Sequence, residues 1–140
     1  MFRKVLVAYD GSAGAKRALD TAIWVAWREE AELIGLAIEA HLPRYSATVG
    51  EVEEEHRFEA QECARLLKEA EAHADAKGRA MRTEVRIGHP AQQIVRAARD
   101  LQVDLIVIGH SGLSAVWGPF LGTTAEKVSR HAPCSVLLVR

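Results

Sequence analysis

Short apolar segments alternate with helix-forming ones along the whole chain, and this alternation narrows the possible folds more than any other feature. Arg3 to Tyr9 (RKVLVAY) is a strand-like run that ends at Asp10-Gly11-Ser12, a turn that also offers a helix N-cap. From Ala13 to Glu30, Ala15, Ala18, Leu19, Ala22, Ile23, Ala26 and Trp27 recur every three or four positions, which predicts a helix with one buried face. Leu33 to Ala40 reads as the second strand, and 41–50, with Pro43 and Gly50, as a loop. A long helix follows from Glu51 to Lys77. Its expected buried side carries Val52, His56, Cys63, Leu66, Leu67, Ala70 and Ala74, and Glu51, Glu53, Glu54 and Glu55 crowd its first turn. Lys77 and Gly78 supply its stop. Met81 to Ile87 alternates Thr83, Val85 and Ile87 with Glu84 and Arg86, as a strand near a sheet edge does. His89-Pro90 opens a helix to Gln102, Asp104 to Ile108 forms the fourth strand, and Thr123 to His131 the last helix. Ser135 to Val139 is the fifth strand.

Such a pattern predicts one α/β domain over residues 1–140: a doubly wound (Rossmann-like), five-stranded parallel sheet in the order 3-2-1-4-5, with helices on both faces. A chain of 140 residues that is 49% hydrophobic can bury roughly two thirds of its unfolded surface, so a single core suffices. Lys plus Arg number 18 against 19 Asp plus Glu, a balance that favours neither a nucleic-acid duplex nor an anionic membrane. No segment reaches the ~18–20 apolar residues of a membrane span, and the start MFRKVLVAYDGS has no long apolar signal segment. A cytoplasmic protein is expected. Cys63 and Cys134 are too few and too distant for a disulfide framework or a zinc site, and are read as packed thiols.

Function is concentrated between Asp104 and Thr124, DLIVIGHSGLSAVWGPFLGTT. A strand leads into Gly109 and Gly112, and Gly122-Thr123-Thr124 then opens a helix. Glycines let a backbone approach a ligand, and the free N-H groups of a helix start attract anions, so the segment has the form of a phosphate grip. Ligands of doubly wound sheets sit beyond the carboxyl ends of the strands where the winding reverses. In the order 3-2-1-4-5 that point lies between the first strand, ending at Asp10, and the fourth, ending at Gly109. Asp10 is also a plausible turn carboxylate, and the threonines cap their helix in either case. Three look-alikes fit less well. Ile108-Gly109-His110-Ser111-Gly112 resembles the nucleophile elbow of hydrolases, but Leu113 replaces its closing glycine and no Asp follows Ser111. Gly118 to Thr124 lacks the lysine and the spacing of a P-loop. A phospho-accepting receiver site would want more carboxylates near Asp10 than Glu39 supplies.

KVLVAYDGS, RIGHPAQQIVRAA, DLIVIGHSG and GTTAEKVSRHAPCSVLLV, in this order and over essentially the whole chain, resemble the universal stress protein family. The spacing of Gly109, Gly112, Gly122 and Thr123 is similar to that of its ATP-binding members. The resemblance implies ATP as ligand, with Asp10 on the ribose hydroxyls and Ala8 and Ile38 lining the adenine slot. Tyr9, Ile108 and His110 belong to the same implied nucleotide-binding set. Gly109, Gly112, Gly122, Thr123 and Thr124 would hold ribose and phosphates, with Mg²⁺ or Mn²⁺ on the phosphates and only Thr123 as a candidate protein ligand to the metal. His110 departs from the family, which usually has Ser or Thr directly after the first glycine, and residues 113–121 contain no Lys or Arg. The expected role is that of an ATP-binding stress-response or signalling module with at most slow hydrolysis, since no activated nucleophile is evident. A homodimer is expected through the apolar strand Ser135 to Val139, with no nucleic acid or membrane partner. The alternatives are a dimer that binds no nucleotide and acts through protein contacts and, more remotely, a small hydrolase using Ser111.

Overall fold

The computed structural model describes residues 1–40, 48–110 and 123–140. The chain runs β1 (Lys4–Ala8), α1 (Ala13–Glu29), β2 (Glu32–Glu39), α2 (Val49–Ala76), β3 (Met81–Ile87), α3 (Pro90–Asp100), β4 (Leu105–Gly109), α4 (Thr123–His131) and β5 (Ser135–Val139). All pairings are parallel and the sheet order is 3-2-1-4-5, as expected.

Strand alternation sorts the core into two layers. Val5, Val7, Leu33, Leu105 and Val107 face α1 and α2, with Ala18, Ala22 and Ala70 between. Leu6, Ile34, Leu36, Ile106 and Ile108 face α3 and α4, where Ile94, Ala97, Ala98 and Val128 close the other side. β1 and β4, buried on both faces, therefore read as unbroken apolar runs. Asp104, expected to begin the fourth strand, instead accepts bonds from the Arg3 and Lys4 N-H groups at 2.8 and 3.1 Å, which ties the two central strands at their amino ends.

Where the structure departs from the sequence pattern, packing geometry gives the reason. Trp27 was expected on the buried face of α1 but is 60% exposed, because the buried arc runs from Val25 through Ala18, Ala22 and Ala26 to Ile23, and Trp27 falls just past its edge, toward the exposed Trp24. α1 ends at Glu29, with Glu30 in the left-handed region at φ 53°. α2 starts two residues early. Thr48 accepts a bond from the Glu51 N-H while the Glu51 carboxylate accepts one from the Thr48 N-H, both at 3.2 Å, so Gly50 lies inside the helix and, of the acidic run, only Glu51 falls in its first turn. Val52 and His56, expected to be buried, are exposed, whereas Cys63, Leu67, Ala70 and Ala74 are covered. A helix of 28 residues is about 42 Å long and the eight residues of β2 span about 26 Å, so roughly the first three turns of α2 overrun the sheet.

β3 is the expected edge strand, with its faces reversed in burial. Val85 and Ile87 are exposed, while Glu84 and Arg86 are half-buried on the side of α3, where Arg86 bonds Asp100 at 2.9 Å. α3 stops at Asp100, two residues short of the predicted end, and Gln102 takes a positive φ of 55°.

Candidate nucleotide site

A cavity of about 430 Å³ opens beyond the carboxyl ends of β1, β2 and β4, at the point where the winding reverses. Ala8, Tyr9, Asp10, Ile38, Ile108, Gly109, His110 and Thr124, all singled out in the sequence, line it together. Of the remaining predicted residues, Thr123 opens α4, and Gly112 and Gly122 lie outside the described residues, as does Ser111.

The walls divide by chemistry. Ala8, Leu36, Ile38, Ile94, Ile108 and Ala125 form an apolar slot, the usual lining of a small-molecule pocket. Leu36, Ile94 and Ala125 were not anticipated as lining. Ile94 follows Pro90, another lining residue, at i+4, so both project from one side of α3 toward the slot. The helical spacing of Pro90 and Ile94 was readable in the sequence, but the approach of α3 to the end of β2 was not.

Asp10 stands exposed at the rim, and its Oδ1 accepts a 2.9 Å bond from the Ser12 N-H. The turn role and the ligand role are compatible, since one carboxylate oxygen suffices for the turn. Ser12 caps α1, its hydroxyl accepting from the Ala15 N-H at 3.1 Å, which was expected, and it also lines the cavity, which was not. The Tyr9 ring belongs to the core beneath α1 and α2, where its hydroxyl donates to Glu69 Oε1 at 2.8 Å. Burial, reinforced by the hydrogen bond and charge of Glu69, pushes the Tyr9 phenol up to about 12. Its 4% exposure leaves it a wall of the site with its polar end turned elsewhere.

Gly109 serves close packing as well as the cavity. A Cβ there would run into the Gly14 carbonyl and come within 3.0 Å of the Ala15 N, and a Cβ on Gly14 would strike the His110 carbonyl. The start of α1 thus presses its backbone against the end of β4, a contact that a glycine pair permits. The half-buried His110 continues the β4–β5 pairing, its N-H donating to the Val139 carbonyl at 2.7 Å.

Among the described lining residues Asp10 is the one carboxylate, and there is no Lys or Arg. Positive potential comes from the amino ends of α1, α3 and α4, which all meet the sheet at this edge. No group of three or more His, Cys, Asp or Glu side chains able to hold a metal occurs among the described residues. Asp10 and the Thr124 hydroxyl suit a cation only when a ligand's own oxygens complete its shell.

The comparisons with known proteins agree with this architecture. Universal stress protein YxiE of Bacillus subtilis is 36% identical, with both chains covered in full. A universal stress protein of Thermus aquaticus, named for its place in the 3′ region of a QAH/OAS sulfhydrylase, is 39% identical, also over both full chains. Among solved structures, universal stress protein UspA from Lactobacillus plantarum superposes with a TM-score of 0.85 at 25% identity, covering 99% of this chain and 98% of that one. A universal stress protein solved in complex with cAMP gives 0.77 at 29% identity, covering 99% and 97%. The sequence model of the Universal stress protein family matches residues 1–140. With its fold, its relatives and this full-length match in agreement, the chain belongs to the universal stress protein family.

Proposed function

We propose that this stress protein binds ATP in the crevice between β1 and β4 and acts as a nucleotide-dependent stress-response or signalling module rather than as an efficient enzyme. The observation that carries the reading is the cavity itself: an apolar slot, a rim carboxylate at Asp10, and a glycine-edged strand beside the amino end of α4 meet in one space of about 430 Å³. Adenine would fill the slot beside Ala8 and Ile38, and Asp10 would accept from the ribose hydroxyls. Gly109, Gly112, Gly122, Thr123 and Thr124 would hold ribose and phosphates through N-H groups and hydroxyls. Mg²⁺ or Mn²⁺ would ride on the phosphates and offset their charge, which the lining residues described here do not do with Lys or Arg. The complex of a 29% identical relative with cAMP supports an adenine nucleotide as the ligand class.

Titration calorimetry of nucleotide-free protein with Mg-ATP tests the proposal. Saturable heat is expected, and Asp10→Ala should weaken binding about tenfold or more, the worth of a hydrogen bond to a charged acceptor. No heat and no thermal stabilisation in the wild type would sink it.

The module is proposed to act in the cytoplasm as a homodimer joined through β5. That strand has one edge without a partner in the sheet, and Leu137 on it is 37% exposed. Leu137→Glu should shift the mass measured by light scattering from dimer to monomer, and a wild type that is monomeric at micromolar concentration would refute the interface. No helix among the described residues is long and apolar enough to cross a membrane. The absence of Lys and Arg from the described crevice lining favours one other reading, a stress protein dimer that works by protein contacts alone, and the same calorimetry separates the two.

A further inference from the structure

On the opposite side of α3 from the nucleotide crevice, α3 and α4 enclose a second cavity of about 490 Å³. Its floor is Ala91 and Val95, both buried, and its walls carry His89 at the N-cap of α3, Arg96 and Arg99 from α3 and Lys127 and His131 from α4. Helical spacing explains the arrangement: Gln92, Arg96 and Arg99 stand at i, i+4 and i+7, and Lys127 and His131 at i, i+4, so each helix turns one basic stripe toward the other.

The acids that might neutralise these stripes are engaged elsewhere. Asp100 pairs with Arg86 on β3 at 2.9 Å, and Glu126 pairs with Arg130 on its own helix at 2.9 Å. No acidic residue lines the cavity among the described residues, and Arg96, Arg99 and Lys127 have no ion-pair partner among them. Three cations around one concavity, without a partner among the described residues, are conspicuous in a protein with a formal net charge of −1. Like charges that line one groove repel one another, and an anion between them relieves the repulsion.

We infer that the α3–α4 groove is a second ligand site, taking a small anion that carries two or more phosphoryl groups. Two guanidinium forks match phosphate oxygens in bidentate fashion, and the Lys127 ammonium adds a point charge from the facing helix. The volume suits a small molecule, and the apolar floor gives a short carbon skeleton a place to lie. The balanced charge of the whole chain argues against a duplex as the occupant. The inference is independent of ATP binding in the crevice, although Pro90 and Ile94 of the same helix line that space.

Inorganic tripolyphosphate, titrated into ¹⁵N-labelled full-length protein without divalent metal and followed amide by amide, separates the two cavities. Saturable shifts are expected at residues 92–99 and 127–131, with affinity falling as salt rises. In Arg96→Ala/Lys127→Ala those shifts should weaken about tenfold or more, while any shifts at Gly109 and His110 persist. Both side chains are exposed, so the variant keeps its core. Shifts confined to Gly109, His110 and Thr124 would overturn the inference, as would groove shifts unchanged in the variant. The same groove shifts from chloride at matched ionic strength would also overturn it, and equal affinity for a tetraglutamate peptide would overturn the assignment to phosphate.

Discussion

Replacing Gly109 with alanine tests whether the meeting of α1 and β4 is as tight as the structure makes it. A Cβ at Gly109 meets the Gly14 carbonyl and the Ala15 nitrogen, all backbone, so no side chain can swing aside and either the helix start or the strand end must move. That strand end is pinned to β5, by pairing up to Gly109 and by the His110 N-H bonded to the Val139 carbonyl. Overpacking of this kind costs about 2–3 kcal/mol. With a urea m-value of about 1.5–2 kcal/mol/M, the midpoint should fall by about 1–2 M. Two other glycines calibrate the result, each measured at the same protein concentration so that self-association does not intrude. Gly50→Ala meets nothing within 4 Å in the first turn of α2 and should stabilise by about 0.5 kcal/mol. Gly78→Ala also meets nothing, but its φ of +79° is strained for alanine and should cost about 1 kcal/mol. If Gly109→Ala is as mild as Gly78→Ala, the α1–β4 contact yields freely and the packing reason for this glycine is wrong.

Tyr9→Phe should cost about 0.5–1.5 kcal/mol by removing the bond to Glu69. Because the folded phenol is raised to about 12, its stability contribution is complete below the unfolded value near 10 and is lost as pH rises toward 12; urea midpoints across that interval should fall less in Tyr9→Phe than in the wild type. Asp20, held below the usual carboxylate range by His73 and then by Lys77, contributes stability that is present above its ordinary value and lost as pH falls through its folded one. The group is half exposed, so Asp20→Asn should cost only about 0.2–1 kcal/mol at neutral pH, and a loss unchanged by 1 M salt would contradict an electrostatic origin.

The elements, their order and the sheet topology were legible because each strand buried on both faces writes an unbroken apolar run, as in KVLVA and LIVIG, and each turn carries its own signal. The candidate cavity was legible where it depended on strand ends: Asp10 and Gly109 line it together because the order 3-2-1-4-5 makes β1 and β4 neighbours. Boundaries were off by one or two residues because caps such as Thr48 with Glu51 act outside the apolar pattern.

What the sequence determined by itself is therefore the local chemistry: periodicity, caps, glycines, and a charge balance that leaves any phosphate affinity to local features. The tertiary structure alone decided which of these meet. The Asp20 carboxylate is bonded by His73 of α2 and by Lys77 at its C-cap. Trp27 is exposed because it falls just past the edge of the arc of α1 that packs on the sheet, and Val52 because α2 is longer than the strand it covers. Gly14 reads in the sequence as an ordinary helix residue, and its need for a bare backbone appears only with β4 against it. The same holds for the α3–α4 groove, whose cations lie about thirty residues apart along the chain. Periodicity reports which way a side chain points from its own helix, and only the packing of two helices reports what it points at.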